Sequence, residues 1–115
     1  MPRLEYAHGM FSNTPLKSFA GDLSSLTDGS NMFAGCTVLT SFTSELPSLT
    51  NGSSMFYKCK LDAESLECIA DTLPTVTGSP RIEIGYGSLA TPADAQAAQA
   101  AIQAKGWNCS MTYNP

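Results

Sequence analysis

Residues 29–36 read GSNMFAGC and residues 52–59 read GSSMFYKC, with Met-Phe and Cys in the same register 23 residues apart. A doubled stretch is either a site used twice, with paired metal or redox cysteines, or one corner of a structural unit that the chain repeats. Extending the comparison outwards decides between them. Leu4, Leu26 and Leu49 correspond, and Met10-Phe11, Met32-Phe33 and Met55-Phe56 follow at spacings of 22 and 23 residues. Leu16 matches Leu39, Phe19 matches Phe42, and Leu23 matches Leu46. The first copy, AHGMFSN, keeps Met-Phe but has no Cys and is one residue shorter there. A feature that survives loss of the cysteine is not organised around it. The repetition specifies stacking.

A unit of 22 to 23 residues is too short to enclose a core of its own and must share apolar layers with its neighbours. Leucine-rich repeats have periods of about 20 to 29 residues with one short strand per unit. Within this unit LTSFTS, Leu39 to Ser44, is the strand candidate, rich in Thr and Phe. Successive copies would pair in parallel. The TDGS and TNGS stretches supply turn residues that tolerate positive φ, and Met-Phe would enter the same core from the opposite wall.

The series MFAGCTVLTSF…LTNGSSMFYKC, that is MF-x2-C-x2-L-x2-F and back to MF-x2-C, resembles the BspA-type leucine-rich repeats of bacterial surface proteins. It is also similar to repeats of mycoplasma surface lipoproteins. The resemblance covers residues 4–61. It implies a right-handed solenoid and a role in adhesion or recognition at a cell surface. Two departures stand out: the first copy lacks its Cys, and the third loses the Leu-x-x-Phe strand after Cys59.

Residues 62–115 read as a helix-strand-helix-strand cap. LDAESLECIADTLP opens with Asp62 as N-cap, carries Glu64 and Ser65 in its first turn, and places Leu66, Ile69, Ala70 and Leu73 on one stripe before Pro74. RIEIG, residues 81–85, alternates with Ile82 and Ile84 inward and Arg81 and Glu83 outward. TPADAQAAQAAIQAKGW is a second helix: Thr91 N-cap, Pro92 at the first position, Asp94 and Lys105 matching the dipole, Gly106 at the stop, and a narrow face of Ala95, Ala98 and Ile102. WNCSMTY alternates again, with Trp107, Cys109, Met111 and Tyr113 on one side. The N-terminus has no comparable cap, so a preceding segment is expected to cover it.

Charged residues are only 14% of the chain and the net charge is −4, against roughly 25% charged in ordinary domains. Six Lys and Arg give no basic footprint for a phosphate backbone, so nucleic acid is not an expected partner. No apolar run approaches the ~18 residues a spanning helix needs, and MPRLEYAHGM has no signal-peptide core.

Four cysteines, Cys36, Cys59, Cys68 and Cys109, have no C-x2-C spacing, and the single His8 lies in a repeat. No metal site and no cofactor are expected. Cys36 and Cys59 in adjacent units would lie ~5 Å apart, which permits a disulfide. Stacked free thiols in a core are the preferred reading. There is no nucleophile elbow, phosphate loop or HExxH motif, and Asp62, Glu64, Glu67 and Asp71 read as a solvated helix face. An enzyme is not expected. Asn51-Gly52-Ser53 and Asn108-Cys109-Ser110 match the glycosylation pattern, the first being an ordinary turn.

The expectation is therefore one α/β domain over residues 1–115: a short right-handed leucine-rich-repeat solenoid with parallel strands and a C-terminal helix-strand-helix-strand cap. If Phe19 and Phe42 point inward, Ser18, Ala20, Ser41 and Thr43 point outward, and Arg81, Glu83, Asn108 and Ser110 would continue that face. Extended solenoid faces bind partners. The expected function is recognition or adhesion within a longer bacterial surface protein, placed outside the cell, with a protein or glycan of a host or neighbouring cell as partner. A structural or receptor-binding domain of a phage tail fibre is the alternative.

Overall fold

The computed structural model describes residues 5–114, so the first copy's Leu4 lies outside the described residues. The turn around each Met-Phe pair is built from left-handed backbone at matched positions. Gly9, Asn31 and Ser54 precede the three Met residues with φ of 64°, 56° and 54°. Asn13, Gly35 and Lys58 follow Phe by two residues with φ of 60°, 78° and 64°. Glycine and asparagine accept this conformation readily, whereas other residues lose roughly 1–2 kcal/mol by adopting it. At Gly35 a Cβ would also run into the Asn13 side chain, so glycine is required there twice over.

These turns aim alternate N–H groups at the following segment. Ala7, Gly9, Phe11 and Asn13 donate to the carbonyls of Asp28, Ser30, Met32 and Ala34 at 2.8–3.0 Å. Gly29, Asn31, Phe33 and Gly35 donate likewise to Asn51, Ser53, Met55 and Tyr57 at 2.8–2.9 Å. Parallel bridges link Tyr6 to Asp28 and Asp28 to Asn51 in the same row.

The fold is mixed α/β with parallel strands in two sheets and two helices. Strands β1 (Ser18–Phe19) and β2 (Ser41–Phe42) form one sheet, with Phe19 opposite Phe42. Strand β3 (Gly52–Leu61) is followed by α1 (Ala63–Thr72), β4 (Arg81–Tyr86), α2 (Pro92–Ala104) and β5 (Asn108–Tyr113). The second sheet has the order β3-β4-β5, all parallel.

The core between the two rows is aromatic. All five phenylalanines of the chain meet there. Phe11, Phe33 and Phe56 stack at 5.6 and 5.5 Å, Phe19 and Phe42 stack at 6.0 Å, and the two columns meet edge-on, as at Phe42–Phe56 (4.9 Å, 73°). Stacked and edge-on geometries are the two that ring quadrupoles favour. Met32 and Met55 are fully buried beside them, whereas Met10 is 49% exposed.

Local helix signals act as expected, with one exception. The Asp62 carboxylate accepts the Ser65 N–H at 2.9 Å, and Thr91 with Asp94 forms a capping box. Leu66, Ile69, Ala70, Ala95, Ala98 and Ile102 are buried, and Gly106 leaves α2 at φ 98°. Lys105, expected to serve the dipole of its own helix, instead reaches the end of α1. Its ammonium donates to the carbonyls of Ala70, Asp71 and Leu73 at 2.7, 3.1 and 2.8 Å.

Three further expectations are corrected. The strand at 39–44 shortens to Ser41–Phe42. The third Met-Phe-x-x-Cys is not a separate turn but lies within β3, which pairs in parallel with β4. Position Thr14, not a gap, stands where Cys36 stands: the hydroxyl and the Cys36 thiol both donate to the Phe11 carbonyl, at 2.8 and 3.0 Å.

Candidate functional site

The eight residues expected to share one face occupy two. Ser18, Ala20, Ser41 and Thr43 lie on or beside β1 and β2. The next layer on that sheet is not β4 but α1. The Ser65 hydroxyl accepts the Phe42 N–H at 2.7 Å and the Thr72 hydroxyl accepts that of Leu46 at 3.2 Å. Strands β4 and β5 instead extend the row of Tyr6, Asp28 and Asn51, through β3. Ala20 and Thr43 line a different hollow of about 310 Å³ with Asp22 and Glu45. There two hydrogen bonds from Ser24, its N–H first, hold the Asp22 carboxyl below the ordinary range.

The other four come together. Arg81 pairs with Asn108 and Glu83 with Ser110 across β4 and β5. Alternation turns all four side chains to the same side, opposite buried Ile82, Ile84 and Cys109. They line a cavity of about 270 Å³. Among the described residues no acid lies in ion-pair range of Arg81, and no hydrogen bond engages the side chains of Arg81, Asn108 or Ser110. Glu83 accepts one bond, from the Ser54 hydroxyl at 3.3 Å.

The surroundings fix this quartet. Between Gly52 and Phe56 the register of β3 on β4 shifts, and left-handed Ser54 sits in that irregularity beside Glu83. One row further along, Asn114 crosses over Gly85 to donate to the Cys59 carbonyl at 3.0 Å. A Cβ on Gly85 would lie 2.6 Å from that amide and 2.5 Å from the same carbonyl. The outward face is thus covered at its end by Asn114 and open over Arg81–Ser110. Sequence reading missed Ser54 and Asn114. Ser54 looked like turn filler, and Asn114 follows the last alternating residue with no pattern to mark it.

His8 belongs to a turn. Its Nδ1 lies 2.8 Å from the Ser30 hydroxyl, which donates to the Asp28 carboxylate at 2.7 Å. The hydroxyl proton is committed to Asp28, so Ser30 can only accept from the ring. This order, carboxylate to serine to imidazole, is the reverse of a base activating a nucleophile. Asn51 repeats the turn by accepting the Ser53 N–H at 3.1 Å.

All four cysteines are free thiols. Burial pushes Cys59 upward, with the neighbouring Cys36 adding to it, and pushes Cys109 up to about 12. Among the described residues no cluster of three or more His, Cys, Asp or Glu could hold a metal ion. No helix there is long and apolar enough to cross a membrane. Comparison of the chain with protein-family models, curated proteins and solved structures finds no match.

Proposed function

We propose that this chain is a short leucine-rich-repeat solenoid of BspA-like pattern that acts as a non-enzymatic recognition or adhesion module. It belongs on this reading to a longer bacterial surface protein and contacts a protein or glycan of another cell. Three features support the solenoid: the matched left-handed positions, the hydrogen bonds joining residues one period apart, and the stacked Phe columns. The observation that carries the function is the quartet on β4 and β5. Four polar side chains converge on one cavity, three of them without an internal partner among the described residues. Exposed polar groups held at fixed spacing by a sheet, with no internal structural bond to make, suit a ligand that brings its own donors and acceptors.

The test is binding of the labelled domain to bacterial and epithelial cells by flow cytometry. Replacing Arg81 and Asn108 together with Ala should weaken binding about tenfold, the equivalent of ~1.4 kcal/mol, with the fold unchanged. Undiminished binding by that variant, or no binding by the parent domain, would overturn the proposal.

A further inference from the structure

We propose that the Arg81, Glu83, Asn108 and Ser110 cavity takes a single neutral sugar ring, held by hydrogen bonds to its hydroxyls. This rests on the recognition reading above and names the ligand class for that same site. At about 270 Å³ the cavity is small beside the ~300–1,000 Å³ typical of pockets for larger ligands, a size that suits one small ring or one terminal residue of a chain. Its lining carries one guanidinium and one carboxylate. Phosphate or sulfate would be opposed by Glu83, and a cation by Arg81. What remains is a neutral molecule rich in groups that both donate and accept.

Hydroxyls are such groups. The four side chains stand at the corners of a rectangle set by the sheet, about 4.8 Å across strands and ~6.7 Å along them. That spacing suits polar groups spread around a ring better than a single charged point. Arg81 can only donate, Glu83 can only accept, and Asn108 and Ser110 can do either. Together they match hydroxyls used in both senses. Glu83 already accepts from one neutral hydroxyl, that of Ser54 at 3.3 Å, which is the donor type a sugar supplies. A zwitterion such as a free amino acid is the rival chemistry, since it would set one charge on Arg81 and the other on Glu83.

The experiment is a titration of the ¹⁵N-labelled domain, followed by amide chemical shifts. The probes are the methyl pyranosides of glucose, galactose, mannose and N-acetylglucosamine at tens of millimolar, with glycine and glycylglycine as zwitterions. At least one pyranoside should shift the amides of residues 81–83 and 108–110 saturably. Asn108→Ala and Ser110→Ala, both at exposed positions, should each weaken that binding about fivefold, in the range expected for losing one contact. No shift there with any pyranoside, or shifts with the zwitterions alone, would overturn the sugar assignment.

Cells treated with periodate, which cleaves vicinal diols, separate the two readings. If the pyranosides fail while treated cells still bind in a quartet-dependent way, the sugar assignment falls and the recognition face stands with a protein partner. If quartet substitutions leave cell binding unchanged, both fall.

Discussion

The Ser65 hydroxyl accepts the Phe42 backbone N–H at 2.7 Å, so a helix side chain stands where the carbonyl of a third strand would otherwise be. Ser65 lies 23 residues after Phe42, one period on. Its proton is directed to the Asp62 carboxylate at 2.7 Å, which leaves the oxygen's lone pairs for Phe42. The arrangement ends the β1–β2 sheet without leaving a buried donor unpaired, and it moves all later strands to the other row.

Replacing Ser65 with Ala should therefore cost more than an ordinary helix substitution. The Phe42 N–H would be buried without a partner, a loss of about 1–3 kcal/mol. Urea unfolding should show that loss, and hydrogen exchange at the Phe42 amide should accelerate. An unchanged midpoint would mean that the N–H finds water or another acceptor.

Lys105 ties the two helices by the same logic with opposite chemistry. Three carbonyls at the end of α1 converge on its ammonium. Lys105→Met keeps the aliphatic stem and removes the charge, leaving those carbonyls unmatched. A hydrogen bond to a charged group contributes about 1.5–3 kcal/mol, and solvent screening at this half-buried site brings the loss expected for the three together down to ~2 kcal/mol. The melting temperature reads it directly. Lys105→Arg should recover part of the loss, whereas a purely steric role would favour Met over Arg.

Local features were legible in the sequence because their partners lie within a few residues. Thr91, Pro92, Asp94 and Gly106 mark α2 from start to stop, and Asp62 marks α1. The alternation in RIEIGY and NCSMTY gave the inward and outward faces of β4 and β5, including the four residues of the cavity. The row those strands join was not legible. It depends on α1 occupying the place beside β2, which rests on a serine and a threonine reaching backbone groups 23 and 26 residues away. Thr14 was hidden differently: it lies beside Cys36 and its hydroxyl shares the Phe11 carbonyl with that thiol, but the two residues share no letter.

Asp28 makes stability depend on acid. The Ser30 hydroxyl and then its N–H stabilise the carboxylate and hold its pKa below the usual 3.8. A group lowered on folding contributes stability that is fully present above the unfolded value and is lost as pH falls through the folded one. Asp28→Asn should flatten the acid limb of the stability curve below about pH 4. It should still fold, since Asn51 makes the same turn. A wild-type curve with no decline below that pH, or a variant curve that declines just as steeply, would remove Asp28 from the account.

The thiols give the sharpest check on how the repeated stretches pack. Cys36, Cys59 and Cys109 are buried, and the Cys36 and Cys59 thiols donate to the carbonyls of Phe11 and Phe33 at 3.0 and 3.2 Å. Thiolate is the reactive form, and burial disfavours it at Cys59 and Cys109. Half-buried Cys68 is also raised, by burial first and then by the Asp71 carboxylate, but it is the one thiol that is not fully buried. Iodoacetamide near pH 8 should modify Cys68 first and slowly, with the other three reacting only on unfolding. Peptide mass spectrometry would read the order, and denatured protein prepared without reductant should take up four alkyl groups, one for each free cysteine. Uptake of only two would mean that a pair such as Cys36 and Cys59 is bridged. Rapid labelling of Cys59 in the native protein would mean that the Met-Phe-x-x-Cys segments do not pack their cysteines inward.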